Sequence, residues 1–170
     1  MNRPRLITFT GLPGTGKSTL ARELALVIEA IYLRVDSVED GLKASALKPK
    51  DVMDAGYCAL WAIAADNLDL GLEVVGDSVN PLVITRNGWR HVAHMTGALM
   101  CSVEVVCSDR AEHRDRVENR RAAQGKGPTW ADVEARIFEP MTTPRLSLDT
   151  AGRTSADALA ELLDRLPPRP

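Results

Sequence analysis

Short runs of β-branched and other apolar residues alternate along the chain with longer stretches whose apolar positions return every three or four residues. The runs are Leu6 to Thr10, Ile31 to Val35, Leu72 to Gly76, Met100 to Cys107 and a weaker Leu146 to Leu148. Near-continuous apolarity is what a strand buried on both faces of a parallel sheet requires. Between the runs, Ser18 to Ala30 sets Leu20, Leu24 and Val27 on one helical face, which predicts a helix covering the sheet. Asp51 to Leu70 repeats the pattern through Leu60, Ile63, Ala64, Asn67 and Leu68, with Asp51 after Pro49 expected as the N-terminal cap. A Leu-rich helix from Ser155 to Leu166 stops before Pro167 and Pro168. Strands alternating with helices predict an α/β fold, a five-stranded parallel sheet with helices on both faces. Gly125, Gly127 and Pro128 interrupt two charged helical stretches, so Ala122 to Thr129 reads as a mobile flap within a lid of about residues 114–137 rather than as a domain boundary.

Composition narrows the classes. At 170 residues one hydrophobic core suffices, so a single domain over 1–170 is expected. An apolar fraction of 45% with 26% charged residues excludes a disordered chain. A net charge of −2 excludes a bulk positive field that would hold long nucleic acid, so any such substrate needs a local groove. Cys58, Cys101 and Cys107 fit no zinc or redox spacing and are expected to be buried thiols, Cys101 and Cys107 sharing one strand face. No apolar run approaches the roughly 20 residues of a membrane span, and the apolar start is too short for a signal peptide. A cytoplasmic location is expected. His91 and His94, three apart, lack the third protein ligand that zinc needs. Trp61 and Trp89 read as core, and Trp130 beside the flap as a side chain that moves on closure.

The chemistry begins with Gly11-Leu12-Pro13-Gly14-Thr15-Gly16-Lys17-Ser18, a complete G-x-x-x-x-G-K-S between a predicted strand and a predicted helix. Glycines at 11, 14 and 16 let the backbone turn its N–H groups on phosphate oxygens, and the following helix adds the positive end of its dipole. Pro13, Thr15 and Thr19 complete the nucleotide-binding set. Lys17 supplies a point charge to the transferring phosphate, and Ser18 a hydroxyl to Mg²⁺, so the cofactors expected are ATP and Mg²⁺.

Two carboxylates emerge at carboxyl ends of strands, Asp36 after the second and Asp77 after the third, where open α/β sheets bind ligands. Asp36 is the candidate general base for an acceptor hydroxyl and Asp77 the candidate for Mg²⁺ or its water, with the roles exchangeable. A plain helix cap is the other reading of Asp36. Asp36, Asp77, Asn80 and Arg86 form the candidate acceptor-binding set. Further on, Arg116 and Arg120, four apart on one helix face, could meet charge on the transferred phosphate when a lid closes. A solvated helix with Glu112, Asp115 and Glu118 as ion-pair partners is the alternative.

Taken together, Gly11 to Ser18 with Thr19 to Glu23, Val35-Asp36-Ser37, Asp77-Ser78-Val79-Asn80 with Arg86, Trp89 and Arg90, and the Arg114 to Arg121 run resemble the small P-loop kinases of the AAA-type group. That group includes polynucleotide 5′-kinase, chloramphenicol phosphotransferase and gluconate and adenylate kinases. The resemblance spans nearly the whole chain. It implies a P-loop NTPase three-layer sandwich with strand order 2-3-1-4-5 and a short lid. It implies phosphate and metal binding by Lys17 and Ser18, Asp36 as base, lid arginines on phosphates, and an Asp149-to-Gly152 loop bordering adenine. One departure matters: the polynucleotide-kinase pattern carries an arginine just after the catalytic aspartate, whereas Ser37, Val38, Glu39 and Asp40 stand here. An acidic pocket repels a nucleic-acid phosphate, which favours a small or cationic hydroxyl-bearing acceptor over a nucleic-acid 5′ end. Asp149-Thr150-Ala151-Gly152 also matches the D-x-x-G of GTPase switches, but it follows the last strand, and the chain has no Asn-Lys-x-Asp to select guanine. The expectation is a phosphotransferase, with a nucleotide-gated switch or NTP hydrolase as the alternative.

Overall fold

In a computed structural model, which describes residues 3–47 and 49–169, five strands form one sheet. They are β1 (Arg5–Thr10), β2 (Ile31–Arg34), β3 (Val74–Asp77), β4 (Leu99–Val106) and β5 (Leu146–Asp149), in the order β2-β3-β1-β4-β5. Every pairing is parallel. The helices are α1 (Lys17–Val27), α2 (Val35–Ala44), α3 (Ala55–Asp69), α4 (Val83–Thr96), α5 (Arg110–Gln124), α6 (Trp130–Glu134) and α7 (Ser155–Arg165).

Alternation along the strands divides the interior into two cores. Ile7 and Phe9 of β1, Val75 of β3 and Cys101, Val103 and Val105 of β4 face Leu20 and Leu24 of α1 and Leu162 of α7. Leu6 and Val74 turn the other way, onto Leu60, Ala64 and Leu68 of α3 and Trp89 and Val92 of α4. Each fully buried aliphatic side chain contributes about 1.5–3 kcal/mol before entropy is counted, so both helical layers are held chiefly by this burial. Trp89 is wholly buried and lies on β3 at Gly76, where an added Cβ would stand 2.8 Å from Cη2 of the ring. A glycine is needed there because the indole occupies the side-chain position.

Three expectations change in detail. The second strand stops at Arg34, because Val35, Val38 and Leu42 repeat at helical spacing and Val35 packs into the α3–α4 core. Asp36 therefore lies in the first turn of α2, with Arg34 as N-cap residue. The following helix begins at Ala55 with Asp54 as its N-cap residue, whereas Asp51 accepts a hydrogen bond from the Met53 N–H in the preceding turn. Cys101 and Cys107 are buried, but Cys58 is exposed. It sits two residues from Gly56 and Leu60 on a helix whose buried face runs Gly56, Leu60, Ala64, Leu68, which turns its thiol about half a revolution outward. Among the described residues no helix is long and apolar enough to cross a membrane.

Candidate active site

The loop from β1 to α1 takes its shape from its own backbone and from neighbours far along the chain. The Gly11 N–H donates to the Val79 carbonyl at 3.2 Å, and the Thr15 hydroxyl to the Leu12 carbonyl at 3.0 Å. From the other side, the Thr150 hydroxyl donates to the Thr15 carbonyl at 2.9 Å. His113 of α5 reaches the Pro13 carbonyl through Nε2 at 2.8 Å. Gly14 has φ 90°, a left-handed conformation that favours glycine, and an added Cβ would stand 2.4 Å from Val117 Cγ2.

Lys17 opens α1 directly after Gly16, and its ammonium lies 2.8 Å from Asp77 Oδ1 and 3.4 Å from the Ser18 hydroxyl. The Tyr32 hydroxyl donates to Asp77 Oδ2 at 2.7 Å. The Asp77 side chain has no exposed surface. Burial pushes its carboxyl up, but the Lys17 charge and hydrogen bonds from Lys17, Tyr32 and Ser18 outweigh burial and hold it below the ordinary aspartate range. Burial and the bond to Asp77 push the Tyr32 hydroxyl up, so it stays a proton donor in that bond. Arg34 holds Asp36 at 2.5 Å, and its Nε lies 3.7 Å from Asp77 Oδ2, within ion-pair reach but beyond a hydrogen bond. The Asp36 side chain is about half exposed, at 54%.

The expected residues thus separate. Gly11 to Thr19, Asp77 and Asp36 gather at the carboxyl ends of β1, β2 and β3. Asn80 is buried and spent on the fold, where its amide donates to the Phe9 carbonyl at 3.0 Å and accepts from the Trp89 indole at 3.2 Å. Arg86 is buried too and donates to the carbonyls of Asn80, Pro81 and Pro140, fastening residues 138–140 to α4.

Arg116 donates to the Thr150 hydroxyl at 2.8 Å and to the Glu112 carboxylate at 2.5 Å. With Arg120 and Arg153 it lines a cleft of about 300 Å³ beside Gly14, Gly16 and Thr19. Arg120 has no ion pair among the described residues. Asp149 accepts from the Ser108 and Ala151 N–H groups, each at 3.0 Å, which closes the loop that carries Thr150. Tyr32, Arg34, His113 and Arg153 are not among the residues the sequence singles out, and Thr150 is reached only through the Asp149-to-Gly152 loop. Of these, Tyr32 and Arg34 carried a signal, since they share a strand face two residues apart and lead toward Asp36. Among the described residues no group of three or more His, Cys, Asp or Glu could hold a metal ion by itself.

A glycine loop between β1 and α1, with a lysine on a buried aspartate at the end of β3, in a 2-3-1-4-5 parallel sheet, defines a P-loop nucleotide-binding protein. Residues 6–143 match the family described as AAA domain, and the chain belongs to that family. It is 27% identical over 169 residues to an adenylyl-sulfate kinase of Geotalea uraniireducens (strain Rf4), a match covering 95% of this chain and 80% of that protein. Two solved structures share the fold. The Mycobacterium tuberculosis APS kinase CysC in complex with AMPPNP and APS has a TM-score of 0.72 at 22% identity, covering 96% of this chain and 98% of that one. A gluconokinase from Sinorhizobium meliloti 1021 has a TM-score of 0.66 at 18% identity, covering 96% and 92%. With its family, its complete phosphate loop and kinase relatives across nearly its whole length, the chain is an ATP-dependent kinase of the small P-loop kind.

Proposed function

We propose that this kinase moves the γ-phosphoryl group of MgATP to the hydroxyl of a small-molecule acceptor held between the phosphate loop and α2. The observation that carries the reading is the buried Lys17–Asp77 pair at 2.8 Å, with Ser18 beside it. It sets an ammonium, an ionised carboxylate and a hydroxyl together at the mouth of the loop, and positioning with electrostatics dominates phosphoryl transfer.

The roles follow from the environments. Lys17 is assigned to the β- and γ-phosphates. Ser18 and Asp77 are oxygen donors of the kind Mg²⁺ prefers, and the ionised state of Asp77 fits a cation. Mg²⁺ supplies neutralisation of charge on the phosphate oxygens. Asp77, with both oxygens occupied by donors, is a poor proton acceptor, whereas Asp36 is open to solvent and its Arg34 partner can be displaced. Asp36 is therefore assigned as the base that takes the acceptor proton. The cleft beside Gly14 and Gly16 is of a size to take the adenine, with Arg116, Arg120 and Arg153 about it. The lid of about residues 114–137 belongs to the same proposal: Lys126, in the turn after α5, pairs with Asp40 of α2 at 3.6 Å, so this segment can reach the acceptor side.

Acceptor choice rests on α2. Asp36, Glu39 and Asp40 give it an acidic character that favours a neutral or cationic alcohol over a nucleic-acid 5′ end. The second reading, a hydroxyl borne by a nucleotide such as adenylyl sulfate, is supported by the named relative and by Arg34, whose Nε is buried without a hydrogen-bond partner among the described residues. The deciding experiment is ADP release from MgATP, alone and with neutral sugars, amino-alcohol antibiotics, adenylyl sulfate and 5′-hydroxyl oligonucleotides. Strong stimulation by an uncharged or cationic alcohol is expected. Stimulation by adenylyl sulfate alone establishes the second reading. MgATP binding without stimulation by any acceptor, or phosphate release that needs none, overturns the transferase.

A further inference from the structure

We infer that His113 is a positioning residue for nucleotide binding, holding the tip of the phosphate loop from α5 and tying it to Trp130 at the start of α6. The inference rests on the kinase reading, since it assumes MgATP at the loop.

Three observations meet at this imidazole. It is 6% exposed, and its Nε2 lies 2.8 Å from the carbonyl of Pro13, a residue 100 positions earlier. A carbonyl only accepts, so Nε2 carries the hydrogen. Next along the loop, Gly14 sits so close to the same helix that an added Cβ would stand 3.1 Å from His113 Cδ2 and 2.4 Å from Val117 Cγ2. His113 and Val117, four apart and both buried, thus form one seat on α5 for the loop tip. On its far side the imidazole meets Trp130 edge to face, with centroids 5.1 Å apart and planes at 81°.

The consequence for function follows from peptide geometry. Across a planar trans peptide the carbonyl and the next N–H point in opposite directions. Pinning the Pro13 carbonyl on His113 therefore turns the Gly14 N–H away from α5, into the loop, where phosphate oxygens are received. A glycine-rich loop has many competing conformers, and a buried hydrogen bond that selects one lowers the ordering cost on binding. Because Trp130 packs on the ring that does the pinning, a change of the flap alters how firmly the loop tip is held. His113 touches no reacting atom in this scheme; it acts through Pro13 and Gly14.

The test measures the Kd of the full-length protein for MgAMPPNP by calorimetry, with KM and kcat for ATP on the best acceptor and urea midpoints for every variant. His113→Leu is expected to raise the Kd about tenfold, the worth of one buried hydrogen bond at the upper end of its range. KM should rise more than kcat falls. His113→Gln, whose amide N–H can reach the carbonyl, should recover most of the affinity. Trp130→Leu, which leaves the loop and His113 in place, should weaken binding several-fold, and the double variant should match His113→Leu alone. A His113→Leu Kd equal to wild type, or no rescue by His113→Gln, overturns the positioning role. Should His113→Leu fail to fold, Trp130→Leu carries the test, and an unchanged Kd there overturns the link to the flap. If wild type itself does not bind MgAMPPNP, the kinase reading fails with it; if wild type binds and transfers phosphate while His113→Leu binds equally well, this inference alone fails.

Discussion

Lys17 Nζ and Asp77 Oδ1 stand 2.8 Å apart in a pair that joins the first residue of α1 to the last residue of β3. The Lys17 side chain is 9% exposed and that of Asp77 not at all, so removing one partner strands a buried charge. Lys17→Met is expected to abolish phosphoryl transfer and to cost about 3 kcal/mol of stability at pH 7, read by urea unfolding. The sign with pH follows from Asp77. Its folded-state carboxyl is held below the ordinary value, so its stabilisation is present above the unfolded value of about 3.9 and is lost as pH falls through the folded one. The stability gap between wild type and Lys17→Met should therefore narrow below about pH 4. A gap that widens in acid contradicts the pair as drawn.

Asp36 is half exposed and among the described residues pairs only with Arg34, so its replacement disturbs little of the fold. Asp36→Asn should lower turnover by about 10²–10⁴-fold, the usual worth of a general base, with the Kd for MgATP within about twofold of wild type. Normal turnover in this variant, measured as ADP release with a saturating acceptor, assigns Asp36 to the turn of α2 alone.

Asn80 has φ 48°, a left-handed conformation that Asn tolerates better than most residues, and its side chain bridges β1 and α4. Asn80→Ala leaves the buried Trp89 indole N–H and the Phe9 carbonyl without these partners. A loss of about 2–3 kcal/mol is expected from urea midpoints. Asn80→Asp, which keeps an acceptor for Trp89 but loses the donor to Phe9, should be no better.

At the opposite end of the sheet, Arg5 grips Glu73 through two hydrogen bonds at 2.6 and 2.9 Å, both side chains nearly buried. Arg5→Met should destabilise by about 3 kcal/mol while leaving the Kd for MgATP unchanged, because the pair lies at the amino ends of β1 and β3 and the site at their carboxyl ends. A change in nucleotide affinity larger than the change in unfolding midpoint predicts would count against this separation.

The phosphate loop and the five strands were readable because each is a contiguous stretch whose pattern needs no partner to be recognised. Helix α2 was legible only through the cap reading of Asp36, although Val35, Val38 and Leu42 stand at helical spacing, since Val35 also extends an apolar strand. The contacts that finish the site were beyond the reach of pattern. Tyr32 meets Asp77 across 45 residues, His113 meets Pro13 across 100 and Thr150 meets Thr15 across 135. Asp77 was legible as a strand-end carboxylate but its engagement by Lys17 and Tyr32 was not. Asn80 and Arg86 illustrate the converse: polar residues in a motif-like run drew attention as ligands, and the fold uses their side chains as internal fasteners.

The pairing of Phe9 with Asp77 in the β1–β3 register acts as a ruler for the chemistry. Side chains alternate faces along a strand, so a slip of a single residue in β3 would carry the carboxylate to the opposite side of the sheet and bring Gly76 or Ser78 abreast of Phe9. The distance between the lysine and its aspartate is thus set by the ladder rather than by either side chain. A residue gained or lost at Gly71, in the turn before β3, can be absorbed as slack. The same change between Val74 and Asp77 would disarm the loop without touching one of its eight residues.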